Sequence, residues 1–347
     1  MDRKRTLNDK SYYTFVKGIA IILMIIHHSF GFPDDYIVGI SYPDLTGIVE
    51  YIRNSTKICV PIFVFLTGGG ICLRGNYSFK YALKKIKKFL ICYWCVLLLL
   101  MGVAVIIGYR PRIQDVVLEM FGLKLYVAKF CWYVSFYIVL LVSIPLYVKT
   151  LKIKNELKWD IIISVAFCVL IRLLADTVNK YDKYDVMSSV ALYMPVAIMG
   201  YIMTKYNILD RINNKLQRLN DIVKILMGIF MIAIVLFIHS TKPFVKGISS
   251  GIVLVPILLL AIAIIRLDCN NRIAVIIKIL GKYSMNIWFL HCLFFSQATR
   301  EVFQPIAYII KNSVFVVIWI LLICTLTAVP IQKIQEKLIH KAWNVGV

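Results

Sequence analysis

The sequence predicts an all-α membrane protein: a polytopic bundle of about ten transmembrane helices, with the N- and C-termini cytoplasmic. Three observations carry this. Of 347 residues, 60% are hydrophobic and 17% charged, with mean hydropathy +0.79, whereas soluble domains carry about 25% charged residues. The apolar residues come in blocks separated by compact polar loops, which rules out one large soluble core. Finally, lysine and arginine are sorted between alternate loops.

The blocks of the first half are roughly 15–30, 58–73, 89–108, 130–148 and 159–175, and those of the second half 187–203, 223–238, 247–265, 283–296 and 313–329. Several fall short of the ~20 residues of an upright span, and flanking Lys, Arg and Tyr extend them by snorkelling. Backbone groups in lipid must pair internally, so the blocks are helices. The Leu, Ile and Val runs do not alternate as barrel strands do. Pro61, Pro145, Pro195 and Pro256 are expected to kink or end helices. One domain, 1–347, is expected, because no linker or low-complexity tract divides the chain. Within it, 331–347 reads as an amphipathic cytoplasmic tail, with Ile331, Ile334, Leu338 and Trp343 among lysines.

A net charge of +22 invites a nucleic-acid reading. Its distribution argues for topology instead. With a cytoplasmic N-terminus, 27 of the 40 Lys and Arg residues fall in inward segments and 12 in outward loops, the positive-inside bias. The first block follows a basic start but lacks a small-residue cleavage pattern, so it is expected to stay as the first helix. Most of the nine cysteines lie in apolar blocks. Cys92 and Cys95 form a C-x-x-C within a span, where packing is a better reading than metal or redox chemistry.

Ionisable residues inside spans are costly and mark candidate sites. Lys17 and His28 are eleven residues apart, about 1100° of helix turn, so they share one face some 16 Å apart in rise. A snorkelling lysine and a structural histidine fit this spacing as well as a functional pair does. His27 points about 100° away from His28 and cannot share its site. His291 lies well inside the ninth block, either facing a polar cavity or bonded to a neighbouring helix. Lys84, Lys85 and Lys88 belong to an inward cluster that serves the positive-inside signal and equally suits a pyrophosphate-bearing ligand. No P-loop, nucleophile elbow or H-E-x-x-H is present.

Lys17–Gly18–Ile19–Ala20 followed by His28 resembles the opening signature of the integral membrane acyltransferase family three, with Lys in place of the usual Arg. Val60–Pro61–Ile62–Phe63–Val64–Phe65–Leu66–Thr67–Gly68 is similar to that family's second span, with Thr67 for Ser. Lys84, Lys85 and Lys88 stand where its Arg-rich motif lies. Cys131–Trp132–Tyr133–Val134, Met194–Pro195 and the Gly281–His291 segment follow in the family's order.

This resemblance implies an O-acetyltransferase of the plasma (inner) membrane, moving an acetyl group from cytoplasmic acetyl-CoA or another acyl-CoA. The acceptor would be a hydroxyl of a sugar, a cell-envelope polysaccharide or a small molecule. It implies His28 and Lys17 as catalytic residues and Lys84, Lys85 and Lys88 as donor-binding ones. His291, Trp132 and Tyr283 become substrate or cavity candidates. No tightly bound cofactor, metal or nucleic-acid partner is expected; membrane lipid is. Lysine lacks arginine's bidentate fork, so donor contacts would differ in detail. The alternative is a carrier or flippase for a small polar substrate, with the same His and Lys lining its route.

Overall fold

The computed structural model describes residues 7–30, 48–75, 77–151, 156–178, 186–241, 250–267 and 271–344. Every regular element among them is helical. In the first half these are α1 (Lys10–Phe30), α2 (Ile48–Thr56), α3 (Cys59–Leu73), α4 (Phe79–Ile106), α5 (Ile113–Met120), α6 (Tyr133–Leu151) and α7 (Leu157–Val178). In the second half they are α8 (Val186–Lys205), α9 (Ile208–Leu216), α10 (Asp221–Thr241), α11 (Val255–Ile264), α12 (Arg272–Lys282), α13 (Ser284–Leu290), α14 (Cys292–Phe295), α15 (Arg300–Ala307) and α16 (Ser313–Asn344).

Among the described residues, eight helices are long and apolar enough to cross a membrane, the run from α2 into α3 (Tyr51–Leu73) counting as one of them. A ninth crossing forms if α12 to α14 count as one span, bent by 66°. Of the block expected at 247–265, the described residues begin at Ser250: a π-helical turn over Ser250–Leu254 runs into α11, 15 residues in all. Pro256, with no N–H to donate, stands at the junction of that turn and α11. Pro61 sits in the first turn of α3, where a missing donor has little cost. Pro145 and Pro195 are carried inside α6 and α8. The chain is a multi-pass membrane protein, and its outer helices look like one. On α7, Ile161, Val165, Leu173 and Leu174 are exposed, and on α10 so are Ile222, Leu226 and Phe230.

Two crossings bring backbones into contact. A Cβ placed on Gly68 of α3 would lie 1.7 Å from the Ala197 carbonyl oxygen, and one on Gly200 of α8 2.1 Å from that of Phe65. Likewise a Cβ on Gly18 would lie 2.0 Å from the Ile277 carbonyl oxygen, and one on Gly281 1.8 Å from that of Thr14. Small residues at such points let membrane helices pack without a gap. The second crossing fixes α1 against α12 beside Lys17.

The helix ends on the side of Leu7 are tied by polar contacts. The Leu7 N–H donates to Asp210 at 2.5 Å, and Lys205 and Tyr206 bond to the buried Asp160 carboxylate at 2.5 and 2.7 Å. Helix α16 packs against α1 along a shared apolar groove, and Tyr308, shortly before α16 begins, donates to the Ser29 carbonyl near the C-terminal end of α1, so the two helices run antiparallel. Both ends of the described chain therefore lie on one side. The stretch from Ile331 to Asn344 continues α16 without a break. Its Gln335 is buried, exchanging hydrogen bonds with Asn286 of α13 at 3.0 and 2.8 Å and donating to the Cys92 carbonyl at 2.9 Å.

Candidate active site

His28 occupies the last full turn of α1, where most neighbouring residues are buried, yet its own side chain is partly exposed. Its ring centre lies 4.8 Å from that of His291 and 4.1 Å from that of Phe130. His291 stands between α13 and α14 and is fully buried. Its Nδ1–H donates to the Trp288 carbonyl oxygen. That contact fixes the tautomer, because a carbonyl only accepts. The lone pair then sits on Nε2, which is buried without a hydrogen-bond partner among the described residues. His27 points elsewhere, donating from Nδ1 to the Arg53 carbonyl oxygen at 3.0 Å and so tying α1 to α2.

Phe130 comes from the connection between α5 and α6, a segment held by Glu119 from one flank and by Ser296 and Trp288 from the other. Glu119, at the end of α5, is buried, and its Oε1 accepts the N–H groups of Tyr126, Val127 and Ala128 at 3.1, 2.6 and 2.6 Å. Burial raises its pKa above the usual carboxylate value, and the three N–H donors oppose the shift. The Glu119 carbonyl accepts from Tyr93 at 2.8 Å, and Trp94 donates to the next carbonyl, Met120, at 2.9 Å. Trp288 closes the ring of contacts by donating to the Phe130 carbonyl at 3.2 Å. Cys131 and Cys292, the residues after Phe130 and His291, meet with sulfurs 3.7 Å apart.

Towards the inner face, Lys17 and Lys85 lie close enough to repel one another. Lys85 also feels Arg74 and Tyr81, and the Arg74 guanidinium stacks 3.5 Å above the Tyr81 ring. The three sequence-derived lysines do not act as one group. Lys85 turns inward, Lys84 is exposed, and Lys88 lines a separate cavity of about 180 Å³ with Lys282, Tyr283, Asn286, Gln335 and Glu336. Tyr283 thus lies away from His28, while Trp132 stacks on Tyr193 with ring centres 5.5 Å apart. Of the expected site residues, His28 and His291 share one locus and Lys17 and Lys85 another. Phe130, Glu119 and Arg74 were not singled out in the sequence. A helical wheel of α4 separates Lys85 from the 84/88 pair, but no sequence spacing marks Glu119. Among the described residues, no three His, Cys, Asp or Glu side chains converge as metal ligands.

The fold and site define a multi-pass membrane protein with a histidine pair enclosed between its helices. The family model described as an acyltransferase domain, acyltransferase family 3, matches residues 10–331, and the chain belongs to that family. It is accordingly a membrane acyltransferase. No curated protein and no solved structure matches it.

Proposed function

We propose that the protein is an O-acyltransferase of the plasma membrane that moves an acetyl group from cytoplasmic acetyl-CoA to a hydroxyl of a sugar or cell-envelope glycan. The observation that carries this reading is the pairing of His28 with His291 on the outer side of a helix whose inner end presents Lys17. A thioester donor needs cations for its phosphates and a base near its carbonyl. α1 offers both, about 16 Å apart along its axis.

In the proposed step, the neutral His28 imidazole accepts the proton of the acceptor hydroxyl. The oxygen attacks the thioester carbonyl, its C–O bond forms, the C–S bond breaks, and coenzyme A leaves as thiolate. The thiolate then takes the proton from the imidazolium, so charge and atoms balance. His291 supports His28: two imidazoles this close share one proton rather than hold one each. Lys17 and Lys85 hold the donor's phosphates.

A carrier would use the same groups to pass a substrate across a sealed membrane. Detergent-solubilised protein with labelled acetyl-CoA and a panel of glycan acceptors separates the two. Acetyl transfer and thiol release without any compartment, lost in His28→Ala, is the expected result. Absence of both with every acceptor in well-folded protein would sink the enzymatic reading.

A further inference from the structure

Between the inner cations and His28 lies a set of side chains that the transfer step does not use. Helix α3 is buried from Ile58 to Gly69 except at Val60 and Thr67. Thr67 donates its hydroxyl to the Phe63 carbonyl at 2.9 Å and faces α6, where the same oxygen, left to accept, lies 3.4 Å from the Tyr133 hydroxyl. The Tyr133 ring packs 5.0 Å from Trp288, next to the histidine pair, and 5.7 Å from Tyr137, one turn further inward. Tyr137 in turn packs 4.6 Å from Phe89 of α4, and on the first turn of that helix the Tyr81 ring lies 5.1 Å from that of Tyr77. Tyr133 and Tyr137 are enclosed by α3, α4 and α13, yet both keep partial exposure. The outward face of α6 is marked by the exposed Val142 and Leu146, nine residues and so about 180° from Tyr133 and Tyr137, so the exposure of the two tyrosines opens into the bundle. At the inner end, Tyr77 is buried and its hydroxyl has no hydrogen-bond partner among the described residues. A buried hydroxyl left unpaired is costly and marks a place where a partner is missing.

The geometry points to a channel for the pantetheine arm of the donor, in which the hydroxyls of Tyr77, Tyr137, Tyr133 and Thr67 bond the arm's two amides. This rests on the acyl-CoA reading above and adds residues to it. The arm from phosphate to sulfur is a chain of about thirteen bonds, between four and five residue equivalents, and roughly 15 Å when extended. Lys17 and His28 are about 16 Å apart along α1. With its phosphates on Lys17, Lys85 and Arg74, the donor's thioester therefore reaches His28. Two amides buried in an apolar site need partners, and these four hydroxyls line the way between aromatic walls that suit the arm's methyl and methylene groups.

The test compares coenzyme A with 3′-phosphoadenosine 5′-diphosphate, which has the same phosphates and no arm. Calorimetric binding to detergent-solubilised protein is measured for wild type, Tyr77→Phe, Tyr133→Phe, Tyr137→Phe and Thr67→Val. Each change keeps the ring or the shape, and unchanged melting temperatures verify the fold. Coenzyme A is expected to bind three- to tenfold more weakly to each variant, as the loss of one hydrogen bond requires. The nucleotide diphosphate should bind all of them equally. If the variants weaken both ligands alike, or neither, the channel is overturned while the donor reading stands. If wild type binds neither ligand, the donor reading falls, and the channel with it.

Discussion

The imidazoles of His28 and His291 lie 4.8 Å apart between ring centres, inclined by 39°, although 263 residues separate them along the chain. One comes from the outer end of α1, the other from the joint between α13 and α14. If the pair acts as one unit, their removals will not add. His28→Ala should lower acetyl transfer by roughly 10²- to 10⁴-fold, the range for a general base. His291→Ala should lower kcat by less, and the double variant should be no worse than His28→Ala alone. Multiplicative losses in steady-state kinetics would show two independent roles.

The three lysines of α4 make a sharper test of donor binding, because they part company in the fold. Lys17→Met and Lys85→Met should each raise KM for acetyl-CoA about tenfold or more, the weight of a charge-assisted contact. Lys84→Met and Lys88→Met should leave it within about twofold. Equal effects across all four would return the cluster to a plain topology signal.

Tight helix crossing is open to direct measurement. Gly18→Ala and Gly281→Ala push a methyl group into a carbonyl at 2.0 and 1.8 Å, so the helices must part. Overpacking of this kind costs about 1–3 kcal/mol, seen as a lower melting temperature in micelles. Gly70, whose Cβ would meet nothing within 4 Å, is the matched control, and Gly70→Ala should melt no lower than wild type. Equal melting of all three variants would mean the crossings are looser than drawn.

Glu119 gives the pH dependence. Burial raises its pKa above 4.5 in the folded protein, so the folded state binds the proton more tightly than the unfolded one. The resulting stabilisation is complete below about 4.5 and disappears as pH rises through the folded value. Glu119→Gln stays neutral throughout. The melting temperature of wild type minus that of Glu119→Gln should therefore fall as pH is raised from 4.5 to 7. A flat difference would show a normally titrating carboxylate. Glu119→Ala, which leaves the N–H groups of Tyr126 to Ala128 without their acceptor, should speed amide exchange at those residues and lower transfer.

The helices were legible because lipid demands long apolar runs, and these survive any detail of packing. The facing of Lys17 and His28 was legible too, since a helix converts spacing directly into angle. Contacts across the bundle were not. Phe130 meets His28 only because Glu119 gathers three backbone N–H groups in the preceding loop, and nothing in the local sequence announces that fold-back. At 247–265 the described residues begin at Ser250, where a π-helical turn that hydropathy does not announce leads into α11 and Pro256. Lys84, Lys85 and Lys88 read as one motif on paper; the period of α4 divides them.

The antiparallel pairing of α1 with α16 has a practical side. Since Leu7 and Asn344 finish on the same side of the bundle, reporters fused at the two ends sample one compartment. Split halves of a fluorescent protein attached there should reassemble, and the brightness of that signal would follow the folded fraction in living cells.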